Sequence, residues 1–520
     1  MKRQIIVDKG EEKVEKNVKH IPFRYIIAML FVITETLAII AAVALLTVYI
    51  PYFYFAVVFT QAAVAVRIIS SNDNPDYKLP WLFFVLLIPI IGFMLHFMFY
   101  SRKLSKKQTR RIRRLTAEKA DKDDKQELDA MGEISPCAAS QAYALKSLAY
   151  SHVYGNTDIR YYAQGEQLFA AMVEDLKKAE RFIFMEYFII KEGLFWNTVL
   201  SILKEKVNAG VEVRVVYDDI GCMKTLKGNY DKHLRKLGIK CVSFSKLRGQ
   251  ANNEFNNRNH RKITVIDGKV AFTGGVNIAD EYINRVVRFG HWKDVGIRLK
   301  GEAVNELTRL FLIDYGMSDK RAADNFTDYY VNSATDATGY CVPFGDGPRP
   351  IYGRRVAKTA IQNLLNGAQK SVYITTPYLI IDNEMVQTLE NTALRGVDVR
   401  IITPHIPDKK LVFSMTRSYY KRLMEAGVKI FEYENGFVHA KTYIADGEIA
   451  IVGTVNLDYR SLVHHFENGV WMFKHHAVCD MKTDFLATQA MSIKFEQGML
   501  KDNLWKRFVR SLVKIFAPLL

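Results

Sequence analysis

The sequence predicts an α/β protein built as two duplicated domains, preceded by N-terminal transmembrane helices. Three observations predict it. A cluster of residues recurs late in the chain at nearly the same internal spacing, strand-like and helix-like segments alternate in both copies, and about forty residues near the N-terminus are almost wholly apolar.

The recurrence is His260-Arg-Lys262-Ile-Thr-Val-Ile-Asp267 against His439-Ala-Lys441-Thr-Tyr-Ile-Ala-Asp446, two H-x-K-x4-D blocks 179 residues apart. Seventeen positions after each His stands an Asn in a turn of small residues, Asn277 in Thr273-Gly-Gly-Val-Asn277 and Asn456 in Val452-Gly-Thr-Val-Asn456. Upstream, Gly210-Val-Glu-Val-Arg214 is matched by Gly396-Val-Asp-Val-Arg400, with about seven extra residues in the first copy between the Arg and the His. An internal duplication is the physical reading.

Length and composition bound the rest. The 520 residues allow several domains, and the duplication makes two the natural count after about residue 135. Five scattered cysteines without C-x2-C spacing argue against structural zinc and a disulfide framework, and for a reducing compartment. A net charge of +17 fits either nucleic acid or anionic lipid as partner. The first hundred residues favour lipid.

From Tyr25 to Val66 the only formal charge is Glu35, to which no function is assigned, and Pro51 offers a break, which predicts membrane helices at about 25–49 and 52–69. A third apolar run from Trp81 to Tyr100 predicts a third helix after the polar link Ser70–Asp76. A charged stretch of about twenty residues precedes a run too long for a cleaved signal peptide, so the segment anchors. Between Ser101 and Arg114 lie eight basic residues and no acidic one; the positive-inside rule puts the chain beyond Arg114 in the cytoplasm, where those charges also attract anionic headgroups. With three full crossings the basic N-terminus would lie outside, a conflict that a re-entrant or interfacial placement of one of the first two segments would remove. The organisation expected is therefore an N-terminal segment 1–24, a membrane region 25–100, a basic linker 101–134 and domains 135–340 and 341–520.

In the first copy, strands are expected at 182–190, 211–217, 240–244, 263–266 and 269–273, with helices at 196–208 and 229–237. In the second, strands are expected at 371–375, 397–402, 429–433, 442–445 and 449–452, with helices at 384–394 and 411–426. The stretch Val342–Pro350, rich in turn formers, reads as the linker between them. His and Lys, two apart on a strand, project to one face, while Asp267 and Asp446 fall at Asp-Gly turns and read as structural groups more than as general acids. A terminal segment, Leu504–Phe516, has apolar residues at helical spacing opposite Lys and Arg, suited to packing on the second domain or on anionic lipid.

Two His and two Lys brought together across a domain interface suit attack on a phosphodiester. A neutral imidazole can attack phosphorus, a protonated one can donate to the leaving alcohol, and Lys ammoniums with Asn amides can hold the non-bridging oxygens. No carboxylate clustering suits Mg or Mn, so no metal and no cofactor is expected. His96, His291, His405, His464, His465, His475 and His476 read as ordinary core or surface histidines.

These blocks resemble the phospholipase D superfamily, whose H-x-K-x4-D pair forms one active site at the junction of two similar domains. The wider blocks Asn257–Lys262, Thr273–Tyr282 and Gly453–Ser461, the membrane helices and the ending Phe516-Ala-Pro-Leu-Leu520 resemble the bacterial cardiolipin synthase family. The resemblance implies transfer of a phosphatidyl group from one phosphatidylglycerol to another, with release of glycerol. It implies that His260 forms a phosphohistidine, that His439 acts as acid and then base, and that Lys262, Lys441, Asn277 and Asn456 bind phosphate. The two motif Asp residues belong to the catalytic set in that likeness. Glu467 stands where the family has a histidine-orienting carboxylate; Arg288 stands at the counterpart position in the first copy, and Asp294 is the candidate for that role there. A hydrolytic phospholipase D or another phosphatidyltransferase would use the same residues. A membrane-tethered nuclease is disfavoured because the basic residues cluster beside the membrane, so nucleic acid is not an expected partner.

Overall fold

The computed structural model describes residues 23–49, 51–99, 106–116, 122–246, 257–319, 322, 325–348, 351–352, 354–499 and 513–514. The chain forms two compact units, 1–54 and 55–520. In the first, α1 (Phe23–Tyr49) runs for 27 residues, and the hydroxyls of Thr34 and Thr36 donate to the carbonyls of Leu30 and Val32 one turn back. Neither of these two hydroxyl protons is thereby left facing an apolar surrounding.

Next come α2 (Pro51–Ile69), α3 (Pro75–Leu87), α4 (Pro89–Phe99) and the basic α5 (Lys106–Thr116). Pro51, Pro75 and Pro89 each open a helix, where a missing N–H costs nothing. Among the described residues one helix, Tyr52–Ile69, has the length and hydropathy to span a membrane; the apolar stretch Met29–Leu45 in α1 is shorter. The single third helix expected from Trp81 to Tyr100 is corrected to two, because Pro89 breaks the run and Ile88 joins two short helices. The terminal segment 504–516 lies outside the described residues except for Val513 and Lys514, as does the segment 1–22.

The first domain contains β1 (Thr157–Tyr162), β2 (Phe182–Tyr187), β3 (Glu212–Asp218), β4 (Lys240–Phe244), β5 (Lys262–Ile266), β6 (Val270–Gly274), β7 (His291–Lys293) and β8 (Gly296–Gly301). All but β7 form a seven-stranded sheet in the order β1-β8-β6-β5-β2-β3-β4. Strands β2, β3 and β4 are parallel and crossed over by helices Leu194–Asn208 and Tyr230–Lys236; β5, β6, β8 and β1 continue antiparallel.

The second domain has β9 (Tyr340–Asp346), β10 (Ser371–Thr375), β11 (Leu379–Ile380), β12 (Asp398–Pro404), β13 (Lys429–Tyr433), β14 (Gly436–Val438), β15 (Thr442–Ala445), β16 (Ile449–Gly453), β17 (Leu457–Asp458), β18 (Glu467–Phe473) and β19 (Ser492–Lys494). Its eight-stranded sheet, β19-β13-β12-β10-β15-β16-β18-β9, repeats the first sheet strand for strand and adds β19 at one edge. The turn-rich linker expected at 342–350 is corrected. Val342 and Phe344 are fully buried and β9 pairs along its length with β18, so tertiary burial overrides the Pro and Gly content up to Asp346.

A single hydrophobic cluster runs from the inner face of the first sheet, through helix Val304–Ser318, into the second domain. That helix is buried on almost every face, which requires its charges to be paired: Asp314 with Arg261 and Glu306 with Arg309. The two domains share one core, so their relative position is fixed by packing.

Candidate active site

Each motif histidine stands just before a central strand, with Lys262 opening β5 and Lys441 one residue ahead of β15, and its backbone is tied to the other domain. His260 N–H donates to Phe466 O at 2.9 Å, and His439 N–H donates to Lys293 O at 2.7 Å. The segment leading to His260 is held by Arg258, whose buried guanidinium makes bonds of 2.9–3.1 Å to Asp218, and by Asn259 N–H to the same carboxylate. Arg261 then bridges the domains, donating to Asp314 Oδ2 on one side and to Glu467 O and Asp346 O on the other. The second motif is positioned by β14, which pairs in parallel with β7 of the first domain.

This cross-tying puts the carboxylates on the opposite histidines. Glu467, from the second domain, places both oxygens 3.0 Å from His260 Nδ1, and Asp294, from the first, places Oδ2 2.7 Å from His439 Nδ1. Sequence reasoning named both carboxylates but tied Asp294 to its own half. The structure corrects this: each half orients the histidine of the other. Glu467 also accepts a bond from Thr454 Oγ1. With Nδ1–H held by a carboxylate, Nε2 carries the free lone pair.

Lys262 Nζ folds back to His260 O at 2.7 Å, and Lys441 Nζ contacts both His439 O and His439 Nδ1. His439 Nδ1 thus lies between a carboxylate and an ammonium, whereas His260 Nδ1 faces the carboxylate alone. Burial lowers His260 to about 3, with Glu467 opposing, and His439 to about 4, with the Lys441 charge adding. At neutral pH both imidazoles are therefore neutral. Burial also brings Lys262 to about 7 and Lys441 to about 8, against the pull of Glu467 and Asp294 respectively. Burial alone would raise Glu467, but facing His260 holds it below the usual carboxylate range.

The walls are aromatic. Phe188 meets the His260 ring edge-on at 5.0 Å, and Tyr282, Trp292 and Phe437 surround His439 at 5.4–5.9 Å. Asn277 accepts from Ile189 N–H and donates to Tyr282 OH; Asn456 donates to Asp458, and its Oδ1 is buried with no hydrogen-bond partner.

Asp267 and Asp446 are not among the groups that meet here. Both adopt left-handed φ, 55° and 56°, at the far end of the motif strands, roughly 16 Å of chain from their lysines. Each accepts three backbone N–H bonds, from residues 180–182 and 369–371, of 2.7–2.9 Å. Their place in the catalytic set is corrected: they clamp the start of β2 and β10. Arg288, at Glu467's counterpart position, is half-exposed and pairs with Glu281.

The expectation that His465 is an ordinary core or surface histidine is corrected. The His465 ring lies 5.5 Å from that of His260, with Nδ1 3.6 Å from the shared Glu467. The signal was its position two before Glu467. His260, His465 and Glu467 bring potential ligand atoms within 4.8 Å of one another, donors that suit a transition metal. A metal there would displace the bond that orients His260, so these residues fit an orienting network better than a metal centre.

A model of the cardiolipin synthase, PLD-like domain matches this chain twice, over residues 172–290 and 361–488, and a phospholipase D-nuclease N-terminal model matches 61–99. An uncharacterized protein of Streptococcus mutans is 42% identical over 465 residues, 87% of this chain and 98% of that one. A cardiolipin synthase of Alkalihalophilus pseudofirmus is 33% identical over 89% of this chain and 93% of its own length, and one of Staphylococcus aureus is 31% identical over 85% and 90%. Among solved structures, a phosphatidylserine synthase of Haemophilus influenzae superposes with a TM-score of 0.58 at 14% identity, covering 74% of this chain and 98% of that one. At that identity the likeness concerns the fold.

Proposed function

Since this chain belongs to the cardiolipin synthase family of phospholipase D-like enzymes, as its duplicated domain match and its relatives establish, we propose that it joins two phosphatidylglycerol molecules into cardiolipin and releases glycerol. The observation that carries this reading is the crossed pairing, His260 with Glu467 and His439 with Asp294, which builds one site from two domains.

In the first step His260 Nε2 attacks phosphorus of one phosphatidylglycerol. A P–N bond forms, the P–O bond to the headgroup glycerol breaks, and His439 gives its proton to the leaving oxygen. In the second, His439 takes a proton from a glycerol hydroxyl of the second lipid, whose oxygen attacks phosphorus as the P–N bond breaks. One phosphodiester replaces another, so no nucleotide is needed. His439 must be protonated for the first step, and the bound phosphodiester anion supplies the charge that draws a proton onto it. Lys262 and Lys441 hold the non-bridging oxygens as ammoniums, and the Asn277 and Asn456 amides add donors, Asn277 by turning from Tyr282. The aromatic walls limit water, which would otherwise resolve the intermediate to phosphatidic acid.

The apolar helices and the basic stretch beginning at Arg102 support a multi-pass protein whose domains, 135–340 and 341–520, face the cytoplasm, close to anionic lipid. Incubating the purified, reconstituted protein with labelled phosphatidylglycerol, without metal or nucleotide, tests the reading. Cardiolipin with equimolar glycerol is expected; phosphatidic acid alone means a hydrolase, and unchanged lipid means a different donor.

A further inference from the structure

We propose that α3 and α4 form a re-entrant hairpin that enters and leaves the leaflet facing the catalytic domains, reaching about half the depth of the bilayer. The proposal rests on the membrane placement of the N-terminal helices and changes its topology.

The two helices fold back on each other about Ile88. Trp81 and His96 meet ring to ring at 5.5 Å, although a continuous helix would hold residues fifteen apart about 22 Å from each other. Nearer the bend, a Cβ on Gly92 would fall 2.1 Å from Phe84 O, so only glycine lets the two arms approach this closely. With 13 and 11 residues the arms are about 20 and 16 Å long, against a hydrocarbon core of about 30 Å.

Depth is read against α2. Pro89 has no N–H to offer the carbonyl of Val85, and an unpaired carbonyl is costly in lipid. Gln61 supplies the missing donor, its Nε2 bonding Val85 O at 3.0 Å and Leu86 O at 2.9 Å. Gln61 lies ten residues after Pro51 and eight before Ile69, so the bend is level with the middle of α2. The tip residues Leu86, Leu87 and Ile88 are 55%, 62% and 44% exposed, an apolar end that water disfavours and acyl chains accept.

Both ends of the hairpin are tied to the catalytic unit. At the cap and first turn of α3, Asn74 donates to Asp382 at 2.9 Å, Asp76 accepts from Asn383 N–H and Tyr459 OH, and Tyr77 OH lies 3.4 Å from His464 Nε2. After α4, Ile112 and Leu115 of α5 are buried in the catalytic core, and Arg111 donates to Asp319 O. A segment whose two flanks rest on one domain cannot cross the bilayer. Its base instead fixes the height of that domain, through His464, next to the His465–Glu467–His260 network.

Cysteine labelling of the full chain tests this in a Cys137→Ser/Cys479→Ser background, the other three cysteines being buried. Asn72→Cys, Lys107→Cys and Leu87→Cys are each probed with a membrane-impermeant maleimide from either face of sealed vesicles, with Cys137 of the unaltered chain marking the catalytic face. Asn72→Cys and Lys107→Cys are expected to label only from the Cys137 face, and Leu87→Cys from neither. Labelling of the two flanks from opposite faces, or of Leu87→Cys from the far face, overturns the hairpin. Labelling of Leu87→Cys from the Cys137 face also overturns it. In that case alkaline carbonate separates the causes: a chain that is extracted refutes the membrane placement itself, and one that is retained refutes only the hairpin.

Discussion

Replacing Glu467 with Gln keeps the shape of the side chain and removes its charge. The carboxylate is fully buried, places both oxygens 3.0 Å from His260 Nδ1 and accepts from Thr454. Gln can still accept from one of these groups, and the Thr454 hydroxyl can rotate to accept from the new amide, so no buried polar atom need be stranded. What is lost is the charge assistance, about 2 kcal/mol, or roughly thirtyfold in rate if it is felt fully as P–N bonding puts positive charge on His260. The suitable assay is single-turnover release of labelled glycerol, which reports the first step alone, alongside a thermal melt to show the protein is folded. Substrate affinity should barely change, because Glu467 touches the histidine and not the phosphate. Folded Glu467→Gln protein that releases glycerol within threefold of the parent rate would refute the assignment of Glu467 as the partner of the nucleophile.

Asp294→Asn should slow both steps, because its partner His439 is the acid in the first and the base in the second, read by comparing glycerol release with cardiolipin formation. Asp267→Ala should cost about 3 kcal/mol of stability through its three backbone bonds while the folded fraction keeps near-parental kcat, measured by denaturant titration and active-site-normalised rates. Lys262→Met should lower kcat/KM roughly a hundredfold by removing one ammonium from the developing phosphorane. Lysines lose charge as pH rises, so with Lys262 near 7 and Lys441 near 8, the fall of kcat/KM with pH that the need for protonated His439 already sets should steepen above pH 7 and again above 8; a slope unchanged from pH 6 to 9 would contradict their phosphate-binding role.

Much of this was legible in the sequence because it is local. Strands β4, β10, β13 and β15 fall on the residues that alternation and β-branching indicated, and the Asp-Gly turns at 267 and 446 are seen as left-handed turns. What stayed hidden depends on distant parts of the chain. Glu467 and His260 are 207 residues apart and Asp294 and His439 are 145 apart, so which carboxylate meets which imidazole is decided by the packing of two domains on one core. The clamp role of Asp267 likewise needed β2, 85 residues upstream, in place beside it. His465 offered only its place two residues before Glu467, and that place gains meaning once Glu467 is seen to face His260. Pro89 was a readable signal that the third apolar run would break, and its length masked it; at 342–346 the reverse held, where turn-forming residues concealed a buried strand.

The central claim is that one site built from both halves passes the phosphatidyl group through His260. His439→Ala enzyme, which lacks the acid and base but keeps the nucleophile, should accumulate a slowly formed, acid-labile adduct when given phosphatidylglycerol. Digestion and mass spectrometry should place that adduct on the peptide containing His260, and His260→Ala should show none. An adduct on His439 in the His260→Ala protein, or undiminished cardiolipin formation by either variant, would contradict the account.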